Sequence, residues 1–257
     1  MIGLYEINVP NAWSIIQANC LYAYCGNSPI VYVDPFGLDS YLFYDPDVFG
    51  KDTGTQYAIT MKFELESVYG EPCHLIPTTS YEDFVNGWES MGTVNGNTVD
   101  IDTVLILAHG SHDGFSLEGK KKAKKDTTLK NTDTEKKRFS TYDIENLSKK
   151  EIDILVLISC NSGCLTYNLN LAATFAKKDG IKKVVASDGN IEVTPVDLLC
   201  FKHLKYESVP NDIHHKHKKN EGFFVFQYDS SKEKVVTTAI GYKFNGIIGL
   251  INSAKKV

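Results

Sequence analysis

The chain has 257 residues, 42% of them hydrophobic, and a formal net charge of −5. That length and apolar content suit one large domain, or a small module plus a domain, and exclude an intrinsically disordered chain. The acidic balance speaks against a dedicated nucleic-acid binder, and no apolar run is long enough to span a bilayer. The first residues lack the basic start and continuous apolar core of a signal peptide, so any export is expected to depend on a larger carrier or a dedicated machine. The six cysteines (Cys20, Cys25, Cys73, Cys160, Cys164 and Cys200) form no CxxC pair and no zinc-like spacing. Free thiols in a reducing compartment are the expectation, since a chain of this size can build an adequate core without disulfides.

Residues 1–38 differ in composition from the rest of the chain. They contain Asn19-Cys-Leu-Tyr-Ala-Tyr-Cys-Gly-Asn-Ser28, then Pro29-Ile-Val-Tyr-Val-Asp-Pro-Phe-Gly-Leu38. From Asp39 onward the pattern alternates between strand-like and helix-like segments. Residues 57–63 and 74–76 read as strands. Ser80 is placed to cap a helix over Tyr81–Ser90, whose apolar stripe is Phe84, Val85 and Trp88. Residues 103–108 form a branched aliphatic run, about the length of a fully buried strand, that leads straight into His109-Gly110. The lysine-dense stretch Gly119-Lys-Lys-Lys-Ala-Lys-Lys-Asp126 reads as a surface loop.

Ser140 or Thr141 then starts a short helix through Ile144 and Leu147. A second aliphatic run, Ile152–Ile158, leads into Ser159-Cys160-Asn-Ser-Gly163. A helical face comes next at Leu169, Ala172, Ala173 and Ala176, with Gly180 as its terminator. Ile181–Ser187 is a further strand, ending at Asp188-Gly189. Residues 222–228 and 234–244 have the pattern of an antiparallel hairpin. Strand–helix alternation of this kind favours an α/β three-layer sandwich around a mostly parallel sheet, with that hairpin at its C-terminal end.

Two aliphatic runs that each end in a reactive side chain are the most informative feature. If they are parallel neighbours, their carboxyl ends open on one edge of the sheet, where ligand crevices of open α/β sheets lie. A thiol and an imidazole would then face each other, as cysteine nucleophilic catalysis requires. The reading gives Cys160 as nucleophile and His109 as the group that protonates the leaving amine and later activates water. The backbone N–H groups of Gly110 and Cys160 are the candidate oxyanion donors, Gly110 because it has no side chain to block a carbonyl. A helix after the Cys160 strand is expected to favour the thiolate through its positive end. Asp188 and Gly189 are candidates for lining a specificity pocket. His112-Asp113 reads as a solvated turn beside it.

Two resemblances rest on these residues. The segment from Asn19 to Leu38 resembles the end of the core shell of Rhs (YD-repeat) proteins, matching the PxxxxDPxGL pattern at Pro29, Asp34, Pro35, Gly37 and Leu38. The resemblance implies a junction at which the shell cuts itself after Leu38 with Asp34 in the self-cleaving site. It divides the chain into a leader, 1–38, and an effector domain, 39–257. The runs ending in His109-Gly110 and Ser159-Cys160 resemble the caspase-like clan of cysteine peptidases, in which an apolar strand closes on His-Gly and a later one closes on Cys. That resemblance implies a Cys–His dyad and no metal or other cofactor in the chemistry. Together the two imply a secreted toxin effector, a cysteine endopeptidase acting on proteins in the cytoplasm of a recipient cell. The partners expected are the protein substrate, a cognate immunity protein and an Rhs shell or secretion apparatus, with no membrane and no nucleic acid among them.

Other motifs compete. Ala108-His-Gly-Ser-His-Asp113 also resembles the opening strand of sirohydrochlorin-type metal chelatases, but nothing later in the chain supplies their second half. His214, His215 and His217 would carry the rival reading, a metal-dependent nuclease or other hydrolase borne by an Rhs protein. They lack the partnering residues of such a site and read better as a solvated basic loop. Lys120–Lys125 could bind an activating polyanion. An inert binding remnant on the same scaffold is the non-enzymatic alternative.

Overall fold

The computed structural model describes residues 39–94, 97–98, 100–117, 138–198, 201–210 and 222–257. The expected junction residues Asp34 and Leu38, the lysine stretch 120–125 and the histidines at 214, 215 and 217 lie outside the described residues. In chain order the strands are β1 (Asp39–Tyr44), β2 (Cys73–Pro77), β3 (Thr93–Val94), β4 (Asn97–Thr98), β5 (Ile101–Leu107), β6 (His109–Ser111), β7 (Gly114–Ser116) and β8 (Arg138–Ser140). They continue with β9 (Ile152–Ile158), β10 (Ile181–Ser187), β11 (Asn190–Leu198), β12 (Phe201–Val209), β13 (Phe223–Asp229), β14 (Lys234–Gly241) and β15 (Lys243–Asn245). The helices are α1 (Thr53–Tyr69), α2 (Tyr81–Ser90), α3 (Leu171–Lys177) and α4 (Gly246–Lys255), with a short 3₁₀ turn at Thr141–Asn146.

Seven strands form the central sheet in the order β14-β13-β10-β9-β5-β1-β2. The run from β2 to β10 is parallel, and β13 and β14 add antiparallel to it. The chain is therefore α/β with a mixed, mostly parallel sheet and small antiparallel sheets beside it. Burial on both faces explains why β5 and β9 read as unbroken aliphatic runs, since every residue of β5 is buried. Alternate residues divide between two cores. Ile106 and Leu157 pack on one side, with Phe84, Trp88, Phe139 and Phe175. Leu105, Leu107, Val156 and Ile158 pack on the other, with Met61 and Leu65 of α1 and Leu250 and Ile251 of α4.

Several expected elements stand where the sequence placed them. Ser80 caps α2, its hydroxyl accepting the Asp83 N–H at 3.1 Å. The helix after β9 starts later than expected: Asn170 caps α3 by accepting the Ala173 N–H at 2.8 Å, so Leu169 lies before the helix and is exposed, while Ala172, Ala173 and Ala176 are buried. Residues 57–63 are a correction, because they lie inside α1 rather than in a strand. Their burial follows the helical period: Ala58, Met61 and Leu65 are buried, whereas Ile59 and Phe63 face outward. The C-terminal hairpin is also revised. Only β13 and β14 pair as such, and residues 243–245 leave for a separate sheet with β12 and β11.

Candidate active site

Parallel pairing of β5 with β9 brings the two reactive residues together. Leu107 is in register with Ile158, and the Ala108 N–H donates to Ile158 O at 3.4 Å, so His109 and Cys160 leave adjacent strand tips one step further on. Their contacts place both side chains on the α1 side of the sheet. The His109 ring meets Phe49 edge to face, with centroids 5.9 Å apart, and Phe49 in turn lies 5.9 Å from Tyr57 of α1. The Cys160 sulfur accepts the Ile191 N–H of β11 at 3.5 Å. Two residues along the same strand, Val193 O accepts the Tyr57 hydroxyl at 3.4 Å.

The chain after Cys160 does not turn directly into a helix. Asn161 adopts a left-handed conformation (φ 57°), its N–H bonds to Gly189 O, and a tight loop runs on to Asn170 before α3 begins. No helix start therefore abuts Cys160, and the expected support for a thiolate from a helix N-terminus is corrected. Burial pushes the Cys160 thiol up from its ordinary value, against the pull of the Ile191 N–H and its own N–H. Cys160 is thus a half-buried thiol whose neutral form is favoured by burial.

Gly110 has a packing reason as well. A Cβ there would sit 2.6 Å from Ser159 Cβ and 3.0 Å from Cys160 O, so only glycine lets the His109-Gly110 tip lie flat against the Ser159-Cys160 tip. The space expected to stay open for a substrate carbonyl on that side is filled by Ser159. Asp188 is 2% exposed, and its carboxylate accepts the Leu165 N–H at 2.7 Å. Gly189 receives Asn161 through its carbonyl and donates to the Ser187 hydroxyl. Both residues thus hold the loop after Cys160. His112 stacks on Tyr167 at 3.8 Å, and its carbonyl accepts the Leu171 N–H. Asp113 accepts from Ser111 and Arg138, which hold its carboxyl below the usual range although burial works against them. The turn is half-buried and cross-linked rather than solvated.

One residue at the site carried no signal in the sequence. Asp45 comes directly after β1, the neighbour of β5 on the side away from β9, and its N–H donates to Leu107 O at 2.9 Å. It is 2% exposed. One carboxylate oxygen accepts the Asp47 N–H at 2.9 Å, and the other has no hydrogen-bond partner among the described residues. Burial raises its carboxyl above the usual range, while the Asp47 N–H and the neighbouring His109 pull it down. A buried carboxylate, an imidazole and a thiol therefore stand in sequence across three neighbouring strand tips. The loop that carries Asp45 also holds Phe49 in a left-handed conformation (φ 68°), a state that costs on the order of 1–3 kcal/mol for a bulky side chain.

Among the described residues, no three His, Cys, Asp or Glu side chains converge as a metal site, and no helix is long and apolar enough to cross a membrane. No known family model and no curated protein matches the sequence.

Proposed function

We propose that residues 39–257 are a caspase-like cysteine endopeptidase, the toxin tip of an Rhs-type protein, acting on proteins in the cytoplasm of a recipient cell. The observation that carries this reading is the placement of His109 and Cys160 on adjacent parallel strand tips and on one face of the sheet. The Cys160 proton passes to the His109 imidazole as the sulfur attacks the substrate carbonyl carbon. Because burial holds the thiol neutral, this transfer belongs to the substrate complex rather than to the resting protein. The Cys160 N–H stabilises the oxyanion, and the imidazolium then protonates the amine that leaves. Water, deprotonated by the same imidazole, hydrolyses the thioester and restores the thiol. Asp45, close enough for its charge to be felt by His109, offsets the imidazolium charge.

Strand β11 fits the role of peptide guide. It is the outer strand of its small sheet and begins at the sulfur. The groups of Ile191 and Val193 that contact Cys160 and Tyr57 show which residues face away from β12. Pro195, two further on in the same alternation, has no N–H to offer there, as suits an unpaired edge. An extended peptide adding along the first residues of that edge would displace the Ile191 N–H from Cys160 and the Tyr57 hydroxyl from Val193 O. The Rhs-like leader adds the expectation of a cognate immunity protein that occludes this cleft.

The test is induction of residues 39–257 in a susceptible bacterium, wild type against Cys160→Ser and His109→Ala, with a survey of new protein N-termini in each culture. The expected result is toxicity with discrete new N-termini for the wild type only, each substitution lowering cleavage at least a hundredfold. Full toxicity from either variant would remove that residue from the mechanism and the peptidase with it.

A further inference from the structure

The loop between β1 and α1 is built around a residue that the proposed chemistry does not use. Phe49 is a bulky side chain in the left-handed region and is 38% exposed. The loop around it is firmly held. Val48 N–H donates to Asp45 O, Gly50 N–H to Asp47 O, Thr53 N–H to Gly50 O, and the Asp47 carboxylate accepts the Asp52 N–H. Val48 beside it is fully buried, and Gly54 packs so closely that a Cβ would meet Asp45 O at 1.9 Å. A loop this well fixed does not present a strained, half-exposed aromatic ring through slackness. The ring rests on His109 and continues into Tyr57, giving an apolar wall along one side of the imidazole.

The order of the strand tips fixes which part of a peptide meets that wall. From one side to the other the tips are β1, β5, β9 and β10, so His109 stands between Phe49 and Cys160, and β11 leaves from the far side. The sulfur takes the acyl carbon, and the imidazole gives its proton to the amine. The acyl half of a peptide therefore lies toward β10 and β11, and the amine half lies over His109 and beyond it. Resting on the peptidase reading above, we infer that Phe49, which lies against His109, selects a bulky apolar or aromatic residue immediately after the scissile bond.

The experiment uses quenched fluorescent peptides built on a sequence cleaved by the wild type, differing only in the residue after the scissile bond: Phe, Leu, Ala, Asp or Lys. Wild type is expected to favour Phe and Leu over Asp and Lys by about tenfold or more in kcat/KM, the equivalent of about 1.4 kcal/mol. Phe49→Ala is expected to slow the Phe and Leu peptides about tenfold and the Asp and Lys peptides far less. Phe49→Leu, which keeps an apolar wall, should retain most of the preference. Cys160-dependent cleavage whose preference is the same in wild type and Phe49→Ala overturns the assignment of Phe49 and leaves the peptidase standing. Absence of any Cys160-dependent cleavage overturns both.

Discussion

Asp45 separates a structural role from a catalytic one more sharply than any other side chain here. A buried carboxylate with one oxygen lacking a hydrogen-bond partner among the described residues is an unfavourable arrangement for stability, and its raised carboxyl range reflects that cost. Its neighbour His109 gains from the negative charge only when the ring carries a proton, as the proposed reaction requires in its middle. Asp45→Asn keeps the shape and can still accept the Asp47 N–H. The expected outcome is a fall in kcat of roughly ten- to a hundredfold with KM little changed, while the melting temperature holds or rises. A purely structural carboxylate would show the reverse, a lower melting temperature with kcat intact. Measuring both on the same preparation decides between them.

The two strand tips depend on how closely β6 and β9 approach, and Gly110 sets that distance. An added methyl cannot be absorbed by a flexible neighbour, because the atoms it meets are Ser159 Cβ, next to the backbone, and the carbonyl oxygen of Cys160. Gly110→Ala should therefore push the His109 tip away from Cys160, at a cost of about 1–3 kcal/mol in unfolding free energy. Cleavage should fall by more than that destabilisation explains at temperatures where the variant remains folded. Denaturant melts paired with cleavage rates test this, and a variant as stable and active as wild type would show that the approach is slack.

At this scale it is also plain which elements the sequence discloses. Strands β5, β9 and β10 are buried on both faces, so their aliphatic runs mark them, and Ser80 marks the start of α2 through its side chain. Helix α1 is hidden because Ile59 and Phe63 are apolar yet outward-facing, which turns a helical period into an apparent alternation. Strand β1 escapes the reading altogether, and Asp45 with it. The nearest cue is the apolar run ending in Tyr44-Asp-Pro-Asp47, which resembles an ordinary turn until β1 is seen to lie beside β5. The hairpin of β11 and β12 is likewise unmarked, since its half-exposed residues and Pro195 blur any period. The part of the site supplied by β11 therefore becomes visible only in three dimensions.

The whole molecule is tied together by contacts distant in sequence, and one of them responds to pH. Glu64 on α1 is 8% exposed and accepts the Ile247 N–H of α4 at 2.7 Å. Asn245 gives α4 no side-chain cap, so the carboxylate of a different helix serves the start of the C-terminal one. The group facing it from β12 is Tyr206, itself fully buried, whose hydroxyl stays protonated well past the usual range, with Tyr57 nearby. Burial pushes the Glu64 carboxyl up to about 7, against the pull of the Ile247 and Leu204 N–H groups. Between the unfolded value near 4.5 and about 7 the folded chain holds a proton that the unfolded chain has released. Stability from this group is therefore fully present below 4.5, declines as pH rises, and is lost above 7. The span corresponds to roughly 3 kcal/mol at most, taking about 1.4 kcal/mol per pH unit. Glu64→Gln keeps an acceptor for Ile247 without the charge, so it should unfold later than wild type at pH 8 and nearly together with it at pH 4.5. Parallel melting curves for the two proteins across that range would instead mean that the carboxylate ionises in the fold without penalty, and that water or a cation reaches the junction of α1, β12 and α4.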